Sequence, residues 1–380
     1  MNAPLNPGPL LDHFVGTPDP RRVQAKCDHD LIDILMIVLC GTIAGADGFE
    51  AIEEFARAKE SWFRERLGLK LRNGIPAHDT LNRVFALLGP EGLNASFAAW
   101  VQDAAAVLKR PHIPIDGKAM RGSKGNTTTG KAAHIVSAWS HQLGLTLGQV
   151  KTDDKSNEIT AIPELLRLLD LSGTLVSIDA MGTQKDIAGQ IVAAKGDYLL
   201  AVKENQPRLF EDVQRLADGA LETNYAGLST DLQQETGHGR QEMRFCFVIE
   251  DLAPIRDRDA WPGLRCVVGI VSSRTIRGKT SDEVRYYISS RKAAAKVFQR
   301  TARAHWSIEN SCHWVLDVAF GEDDHRLREG HGPQNMSLVR KIALAMLKQA
   351  DAKCGIKTRR LKAGWDNTYL EQILLKKPEN

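Results

Sequence analysis

Apolar residues recur at helical spacing from the start of the chain to about residue 105. The segments "FEAIEEFARAKESWFRERLGL" and "GLNASFAAWVQDAAAVLK" follow the pattern of amphipathic helices. The segment "LIDILMIVLCGTIAGA" is apolar on every side, which predicts a buried helix because the run is too short to cross a bilayer. We therefore predict an all-helical N-terminal domain over residues 1–105.

The pattern changes near Pro111, where short apolar runs typical of strands begin. The runs "HIPIDG", "GTLVSIDAMG" and "DYLLAVKEN" and the pair "KAAHIVSAWS" and "LTLGQVKT" predict strands. The helical segments "SNEITAIPELLRLLDL" and "TQKDIAGQIVAAKG" lie among them, so the predicted order is β, β, β, α, β, α, β. Helices interleaved with strands indicate an α/β fold in which helices cover a sheet.

Residues 206–290 differ again, because polar, proline-containing stretches separate their strand-like segments. The segments "EMRFCFVIE", "RCVVGIVSSR" and "VRYYISS" predict a mainly β insertion. A long helix is predicted from about Lys292 to Phe320, and "SLVRKIALAMLKQA" predicts a further helix. The second domain is thus predicted to span residues 106–350, followed by a basic C-terminal tail at 351–380.

Positive charge is unevenly distributed along the 380 residues, although the net charge is only +3. Residues 105–151 hold seven lysines and arginines against one acid, and residues 353–362 hold five against none. Such clusters attract phosphate backbones, although a solvated surface would carry them too. The six cysteines form no CxxC pair, which argues against a disulfide framework and a thiolate zinc site. The start of the chain has no signal-peptide pattern, so we expect a cytoplasmic protein that does not contact membranes.

Two acidic residues directly follow apolar strand segments. Asp116 ends "IPID" and Asp179 ends "LVSID". Strands of an open sheet deliver the residues at their ends to the rim where functional sites gather, so the two carboxylates could meet there. Aspartate is also a common turn residue at strand ends, so either acid by itself is weak evidence for a site.

The segment "RAHWSIENSCHWVLDVAFGEDDH", residues 303–325, concentrates acids, histidines and tryptophans on one predicted helix and its exit. One helix face would carry residues at four-residue spacing: His305, Glu309, His313 and Asp317. The neighbouring face would carry Trp306, Asn310 and Trp314, and we expect its tryptophans to be buried.

Three interpretations of this segment compete. It could be a salt-bridged face in contact with solvent. A zinc site is disfavoured, because three or four ligands must converge and HExxH-type spacing is absent. The third interpretation brings Glu309 to Asp116 and Asp179. Three close carboxylates repel one another unless a cation lies between them, and Mg²⁺ accepts such oxygen ligands.

At these residues the chain resembles bacterial insertion-sequence transposases of the Asp-Asp-Glu (DDE) class, specifically the ISAs-type, H-repeat-associated group. The matching segments come from almost the whole chain: "DHDLIDILMIVLCGTIAGADGFEAIEEFA", "GIPAHDTLNRVF", "IDGKAMRGS", "DKSNEITAIPELL", "SIDAMGTQKDIA", "YLLAVKENQP", "GHGRQEMR", "HWSIENSCHWVLDVAFGEDDHR" and "IKTRRLKAGWDNTYL".

This resemblance implies a fold and an activity. The fold would be an RNase H-like, retroviral-integrase-like catalytic core with the β insertion ahead of the glutamate. The catalytic and metal-binding residues would be Asp116, Asp179 and Glu309, with Mg²⁺ as cofactor and Mn²⁺ as its substitute. The enzyme would cut double-stranded DNA at the terminal inverted repeats of its own element and join the ends to target DNA. It would act as at least a homodimer on DNA, associated with the nucleoid.

The chain departs from the Tyr-Arg-Glu-Lys signature of related transposases. Where those proteins place an arginine before the glutamate and a lysine after it, this chain has His305 and Leu316. Four further acids compete with Glu309 as the third metal ligand: Asp317, Glu322, Asp323 and Asp324. Asn205 and Gln206 end a strand near the predicted site and could contact DNA or cap the strand.

Eight residues are expected to contact DNA: Lys118, Arg121, His238, Arg240, His305, Trp306, His313 and Arg326. The alternatives are plain surface charge for Lys118 and Arg121, a turn for the glycine-flanked His238 and Arg240, and a core side chain for Trp306. Two other functions stay open beside the transposase. One is a transposase-derived DNA-binding protein that no longer cuts, and the other is a metal-dependent nuclease without strand transfer.

Overall fold

The N-terminal part of the protein is helical, as its apolar spacing predicts. The computed structural model describes residues 9–21, 27–105, 112–125, 131–152, 157–237 and 239–375. The helices that precede the sheet in these residues are α1 Pro9–Val15, α2 Leu31–Ile43, α3 Phe49–Ala58, α4 Glu60–Leu67, α5 His78–Leu87 and α6 Pro90–Ala105. α2 is buried along almost its whole length, which fits its uniformly apolar sequence. Of the helices that the structure describes, none is both long enough and apolar enough to cross a membrane.

A single mixed sheet holds the strands of the described structure. They are β1 His112–Met120, β2 Ala133–Ser140, β3 Leu145–Lys151, β4 Leu175–Ile178, β5 Asp197–Val202, β6 Ser229–Gly237, β7 Arg240–Ile249, β8 Cys266–Ile276 and β9 Lys279–Ser289. Their order across the sheet is β3-β2-β1-β4-β5-β9-β8-β7-β6. β1, β4 and β5 run parallel, and the other neighbouring pairs run antiparallel. The fold is therefore a mixed α/β fold with a large sheet.

Helices cover the parallel part of this sheet. α7 Glu158–Arg167 packs against β2 and β3, and α8 Lys185–Ala193 packs against β5. α10 Ala295–His305 packs against β1 and β4. All four residues of β4 are buried, as expected for a parallel strand with covered faces.

The region predicted as a mainly β insertion begins with a helix, α9 Pro207–Glu222. Pro207 lies in the first turn, where the missing N–H has no helical partner to lose. The strands of this region join the central sheet, because β9 pairs with β5 in the register Leu199↔Ser289. The hairpin end of β8 and β9 projects into solvent, since β9 is exposed from Lys279 to Val284.

The helix predicted from Lys292 to Phe320 is divided. α10 ends at His305, a π-helical turn spans Glu309–His313, and α11 Trp314–Phe320 follows. The buried side of α10 carries Ala295, Phe298 and Ala302, and Ile308, Cys312 and Leu316 continue it through the irregular turn into α11. The expected burial of the two tryptophans is wrong, because Trp306 is 47% exposed and Trp314 is 59% exposed.

The predicted basic tail is not a free arm in its described part. After α12 Gly332–Gln349, the chain forms α13 Ile356–Trp365 and α14 Asn367–Leu375, which pack on the N-terminal helices. The buried guanidinium of Arg360 donates to the carbonyl of Thr42 at 3.0 Å and to Asp47 at 2.6 Å. Arg66 binds Glu371 at 2.8 Å. Part of the positive charge near the C-terminus is therefore used to hold helices together.

Candidate active site

Asp116 and Asp179 belong to two neighbouring parallel strands, since Asp116 lies within β1 and Asp179 directly follows β4. β1 and β4 pair in the register Ile115↔Ile178, and each aspartate is the next residue along its own chain segment. Asp179 Oδ1 accepts hydrogen bonds from the backbone N–H groups of Met181 at 3.0 Å and Gly182 at 3.3 Å, which fix the turn after β4. The structure therefore brings the two aspartates to the same edge of the sheet.

Burial raises the pKa of both aspartates above the ordinary value. The pKa of Asp116 is raised to about 6 by burial, opposed by His313 and reinforced by the charges of Glu158 and Asp179. The pKa of Asp179 is also raised, first by burial and then by the charge of Glu158. Asp116 is therefore partly protonated near pH 6 in the metal-free protein, and a cation at this edge would favour the charged form of both acids.

Glu309 reaches this edge from the π-helical turn. His313 Nδ1 lies 3.0 Å from Glu309 Oε2 and 3.6 Å from Asp116 Oδ2. Ligand atoms of Asp116, Glu309 and His313 lie within 4.8 Å of one another, a spacing that could hold a metal ion. The hydrogen bond with His313 lowers the pKa of Glu309, so its carboxylate is charged at neutral pH. π-helical turns occur frequently at functional sites, because they change where the following side chains point.

Three of the four acids that compete with Glu309 bind Lys118. Lys118 Nζ lies 2.7 Å from Asp317 Oδ1, 3.0 Å from Asp323 Oδ1 and 3.3 Å from Glu322 Oε2. Burial lowers the pKa of Lys118, but the charges of Glu322 and Asp317 outweigh burial and raise it. The side chain of Lys118 is only 12% exposed and already has three partners. The expected DNA contact of Lys118 is therefore corrected, since this residue ties β1 to the segment after α11.

His305, at the end of α10, contacts the strands that carry the two aspartates. Its Nδ1 lies 2.8 Å from Ser177 Oγ on β4, and the same hydroxyl lies 2.7 Å from His112 Nε2 on β1. Burial lowers the pKa of His305 to about 4, so the imidazole is neutral at pH 7. The expected DNA contact of His305 is not supported, because its neutral imidazole forms a hydrogen bond with Ser177 that links α10 to the sheet.

Sequence reasoning missed one acid of this site, Glu158. It is the first residue of α7, and Asn157 caps the helix by accepting a hydrogen bond from the N–H of Ile159 at 3.0 Å. Its charge raises the pKa of both Asp116 and Asp179. An Asn-Glu pair at a helix start indicates a cap, but nothing in that pattern indicates which strand ends lie beside it.

A large groove of about 1070 Å³ opens beside the π-helical turn. Six arginines line it, against two glutamates: Arg240, Arg244, Arg274, Arg285, Arg300 and Arg303, against Glu242 and Glu283. Asn310 and Ser311 of the turn also line the groove, so it extends to the neighbourhood of Glu309. Trp306 is exposed in its wall, with the Arg285 guanidinium 4.7 Å from its ring centroid.

Comparison with known families assigns both parts of the chain. Residues 108–346 match the family described as "Transposase DDE domain", and residues 11–101 match the family described as "DDE_Tnp_1-associated". The first match alone covers more than half of the chain. The chain belongs to the DDE transposase family.

Relatives of this transposase are similar over almost their whole length. One is the "Putative transposase YncI" of Escherichia coli O157:H7, 42% identical over 96% of this chain and 94% of its own. Another is the "H repeat-associated putative transposase YhhI" of Escherichia coli strain K12, 39% identical over 96% of this chain and 97% of its own. These relatives and the family matches confirm the expected resemblance to bacterial DDE transposases. Among solved structures, piggyBac transposase in a synaptic complex with hairpin DNA has 8% identity and a TM-score of 0.38 over 95% of this chain and 76% of its own, which is too weak to carry an argument.

The remaining expected DNA contacts of the transposase lie in different places. Arg121 is 85% exposed and donates its backbone N–H to Asp323 at 3.2 Å. Arg326 is exposed, and His313 is buried in the acidic group. Arg240 lines the groove and pairs with Glu242 at 2.9 Å. His238 lies outside the described residues.

Asn205 and Gln206 brace the loop that follows Asp179. The side-chain amide of Asn205 donates to the carbonyl of Ala180, and that of Gln206 donates to the carbonyl of Thr183 at 2.9 Å. Both side chains therefore use an amide hydrogen to hold the turn beside the transposase's acidic edge.

Proposed function

We propose that this transposase cuts DNA at the ends of its own insertion sequence and joins those ends to target DNA. Asp116, Asp179 and Glu309 would carry the chemistry. The observation that supports this most directly is the approach of Glu309 to Asp116 in a DDE-family chain. Asp116 lies on β1, Asp179 directly follows the adjacent parallel strand β4, and Glu309 is linked to Asp116 through His313.

The side chains at this edge suit Mg²⁺, with Mn²⁺ as a substitute. Carboxylate oxygens are the ligands that these hard cations accept. Burial first, and then the charge of Glu158, raises the pKa of Asp116 and Asp179, and a bound cation would favour the charged form of both. When bound, two such ions would activate a water or a 3′-hydroxyl and stabilise the leaving oxygen of a phosphodiester. Asp116, Asp179 and Glu309 would hold them.

Other residues of the chain orient these carboxylates. His313 is buried and lies between Asp116 and Glu309, so it sets how closely the π-helical turn approaches β1. Lys118 on β1 binds Asp317 of α11 and Asp323 just after it. It therefore fixes α11, the helix that follows the π-helical turn, to β1. Because these contacts already hold the segment that carries Glu309 against β1, little further ordering of the carboxylates is needed when substrate binds.

The strand order supports the proposal of an RNase H-like core. β3, β2 and β1 form an antiparallel set, and β4 and β5 continue it in parallel with β1. α7 and α8 precede β4 and β5 along the chain as crossover helices. The aspartates then lie on β1 and directly after β4, in the middle of the sheet.

The arginine-rich groove is the proposed path of DNA towards the carboxylates. Its excess of arginine over glutamate favours a phosphate backbone, and Trp306 offers an exposed aromatic face for a base. The helices of the N-terminal part would contribute to recognition of the terminal inverted repeats. Because transposition pairs two ends, we propose at least a dimer on DNA.

Cleavage of labelled DNA that carries the gene's own flanks tests this function. Purified protein would be incubated with Mg²⁺ or Mn²⁺ and a target plasmid, and cut and joined products would be mapped separately. Cuts at inverted repeats followed by joining to the plasmid support the transposase. Cuts without joining, even with both ends present, would assign a nuclease. Specific binding of the flanks without cuts in either metal would assign a silent DNA-binding protein.

A further inference from the structure

The side chain of Lys348, near the end of α12, reaches the π-helical turn. Its Nζ donates a hydrogen bond to the backbone carbonyl of Ser311 at 2.7 Å. Ser311 is the middle residue of the turn Glu309–His313 and lies two residues after Glu309. A carbonyl oxygen has two lone pairs, so it can accept a side-chain donor in addition to a backbone partner. Lys348 therefore contacts the backbone of the segment that presents Glu309.

The ammonium group of Lys348 is itself held by its surroundings. It lies 4.4 Å from the ring centroid of Trp139, a buried side chain of β2, and such a cation–π contact is attractive. Its stem passes the turn between β2 and β3, where a Cβ atom at Gly144 would lie 3.6 Å from Lys348 Cδ. Burial lowers the pKa of Lys348 to about 8, so the group is still mostly charged at pH 7. Its position is thus defined relative to the hairpin that pairs with β1.

Two further contacts fix α12 on the same hairpin. Lys341 lies seven residues before Lys348, which places both side chains on one side of the helix. The buried Nζ of Lys341 donates to Ser137 Oγ on β2 and to Gln149 Oε1 on β3, each at 2.7 Å. The Gln149 amide in turn donates to the carbonyl of Gln334, near the start of α12, at 2.9 Å. The helix that carries Lys348 is therefore tied to the sheet along its length.

The π-helical turn is contacted at three consecutive residues. Lys348 binds Ser311, the buried Cys312 Sγ lies 3.8 Å from Thr146 Oγ1, and His313 contacts the acidic edge. π-helical turns are rare, and rarely populated conformations persist where the surrounding structure determines them. The contact at Ser311 is made with the backbone, so it acts on the path of the turn rather than on a carboxylate directly.

We infer that Lys348 is a positioning residue of the proposed active site, which fixes the π-helical turn so that Glu309 faces Asp116. It acts through the backbone of Ser311. A π-helical turn contains one residue more than an α-helical turn, so its loss would rotate Glu309 relative to α11 by about 100°. This inference rests on the proposed function, because it assigns the residue that orients one of the proposed metal ligands.

Hydrogen exchange of the metal-free, full-length protein tests the positioning directly. Lys348→Met removes the donor and the charge but keeps an unbranched stem. Lys348→Arg keeps a charged donor that also binds aromatic rings. The matched control is Lys353→Met, the same change at an exposed position just after α12. Backbone amides of residues 309–313 should exchange about ten-fold or more faster in Lys348→Met, and at wild-type rates in Lys353→Met.

Binding of Mn²⁺, measured by electron paramagnetic resonance of the free ion, tests whether the effect reaches Glu309. Lys348→Met should weaken one bound ion by about 10–100-fold, as loss of an outer partner of a ligand does. Glu309→Gln should weaken the same ion, and Lys348→Met should add nothing in that background, because it acts through Glu309. Lys348→Arg should bind Mn²⁺ nearly as wild type does. Cleavage at saturating DNA should follow the same order while DNA affinity stays unchanged.

Thermal unfolding without metal would show that each variant is folded, and Lys348→Gln takes the place of Lys348→Met in every measurement if the methionine variant does not fold. The inference is wrong if the variant exchanges and binds Mn²⁺ as wild type does. It is also wrong if the loss of Mn²⁺ binding is equal in the wild-type and Glu309→Gln backgrounds, since a general loss of structure gives that result.

Failure of the inference and failure of the proposed function are distinguishable. If wild-type protein cuts its element ends and either of these contrary results is obtained, the inference fails while the proposed function stands. If wild-type protein binds no Mn²⁺ and cuts no DNA, the proposed function fails and the inference fails with it.

Discussion

His313 Nδ1 lies 3.6 Å from Asp116 Oδ2, across the gap between a π-helical turn and strand β1 of the sheet. The same nitrogen lies 3.0 Å from Glu309 Oε2. One buried imidazole thus joins two carboxylates that are far apart in the sequence. The third carboxylate, Asp179, reaches the same edge through strand pairing alone.

Lys118 should contribute to stability rather than to DNA binding. Lys118→Ala leaves Asp317, Asp323 and the buried Glu322 without their shared cation. Removal of one partner from a buried ion pair costs about 3–5 kcal/mol. Urea denaturation should show a loss of that size. The exposed neighbour provides the control, because Arg121→Ala should change the unfolding free energy by no more than about 0.5 kcal/mol. Equal effects of the two substitutions would contradict the assignment.

The metal-free protein should lose stability as the pH rises through the pKa of Asp116. That pKa is raised to about 6 in the folded protein, so the folded state holds the proton more tightly than the unfolded state does. The resulting stabilisation is present below pH 4 and is lost as the pH rises through 6. Asp116→Asn removes this titration, and the variant should gain on the order of 2 kcal/mol relative to wild type between pH 4 and pH 7.

Thermal or urea unfolding in EDTA at several pH values would measure this difference. Addition of Mg²⁺ at pH 7 should stabilise wild type and leave Asp116→Asn unchanged, because the ion needs the deprotonated carboxylate. If the difference in unfolding free energy between wild type and Asp116→Asn did not depend on pH, folding would not raise the pKa of Asp116.

Trp306 should matter for DNA and little for folding. Its ring is exposed in the wall of the arginine-rich groove. Stacking on a base contributes about 1–3 kcal/mol, so Trp306→Ala should weaken binding of element-end DNA by about 5–150-fold. Trp314→Ala is the control, because Trp314 is also exposed, at 59%, but is not among the residues that line the groove. Fluorescence anisotropy would compare the two. The groove would lose its proposed role if both variants bound DNA as wild type does.

The C-terminal helices should be part of the folded core. Leu370 on α14 is fully buried, and Leu361 on α13 is 42% exposed. Leu370→Ala should lower the unfolding free energy by about 2–5 kcal/mol, whereas Leu361→Ala should change it by about 0.5 kcal/mol at most. Chemical denaturation measures both. A free basic arm would instead tolerate both substitutions.

The local pattern of apolar and acidic residues was sufficient to predict part of this site. Apolar runs that end in Asp116 and Asp179 predict strands with acids at one edge, because parallel strands deliver their ends to the same rim. The place of Glu309 came from the family resemblance, since helical spacing alone also admitted Asp317 and the acids after it. In the structure Asp317, Glu322 and Asp323 contact Lys118, and such contacts between distant segments leave no trace in a local pattern.

The sequence pattern failed where helix phase and distant packing decide the outcome. A regular helix with buried tryptophans was expected, but the structure has a π-helical turn at Glu309–His313 and exposes both Trp306 and Trp314. The charge of Arg360 indicated a solvated tail, but its partners Thr42 and Asp47 lie at the other end of the chain. The sequence predicted a DNA contact for His305, and only its hydrogen bond with Ser177 shows that the side chain points inward. Glu158 was missed for the same reason.

Cleavage of element-end DNA by single-carboxylate variants tests the central claim most directly. The variants Asp116→Asn, Asp179→Asn and Glu309→Gln would be compared with Asp324→Asn, which changes an exposed acid just after α11. Each of the first three should lose about a thousand-fold or more in cleavage rate while it still binds DNA, because metal-assisted stabilisation is worth several kcal/mol. Asp324→Asn should cut as wild type does. Wild-type cleavage by Glu309→Gln, or by either aspartate variant, would contradict the assignment of this site.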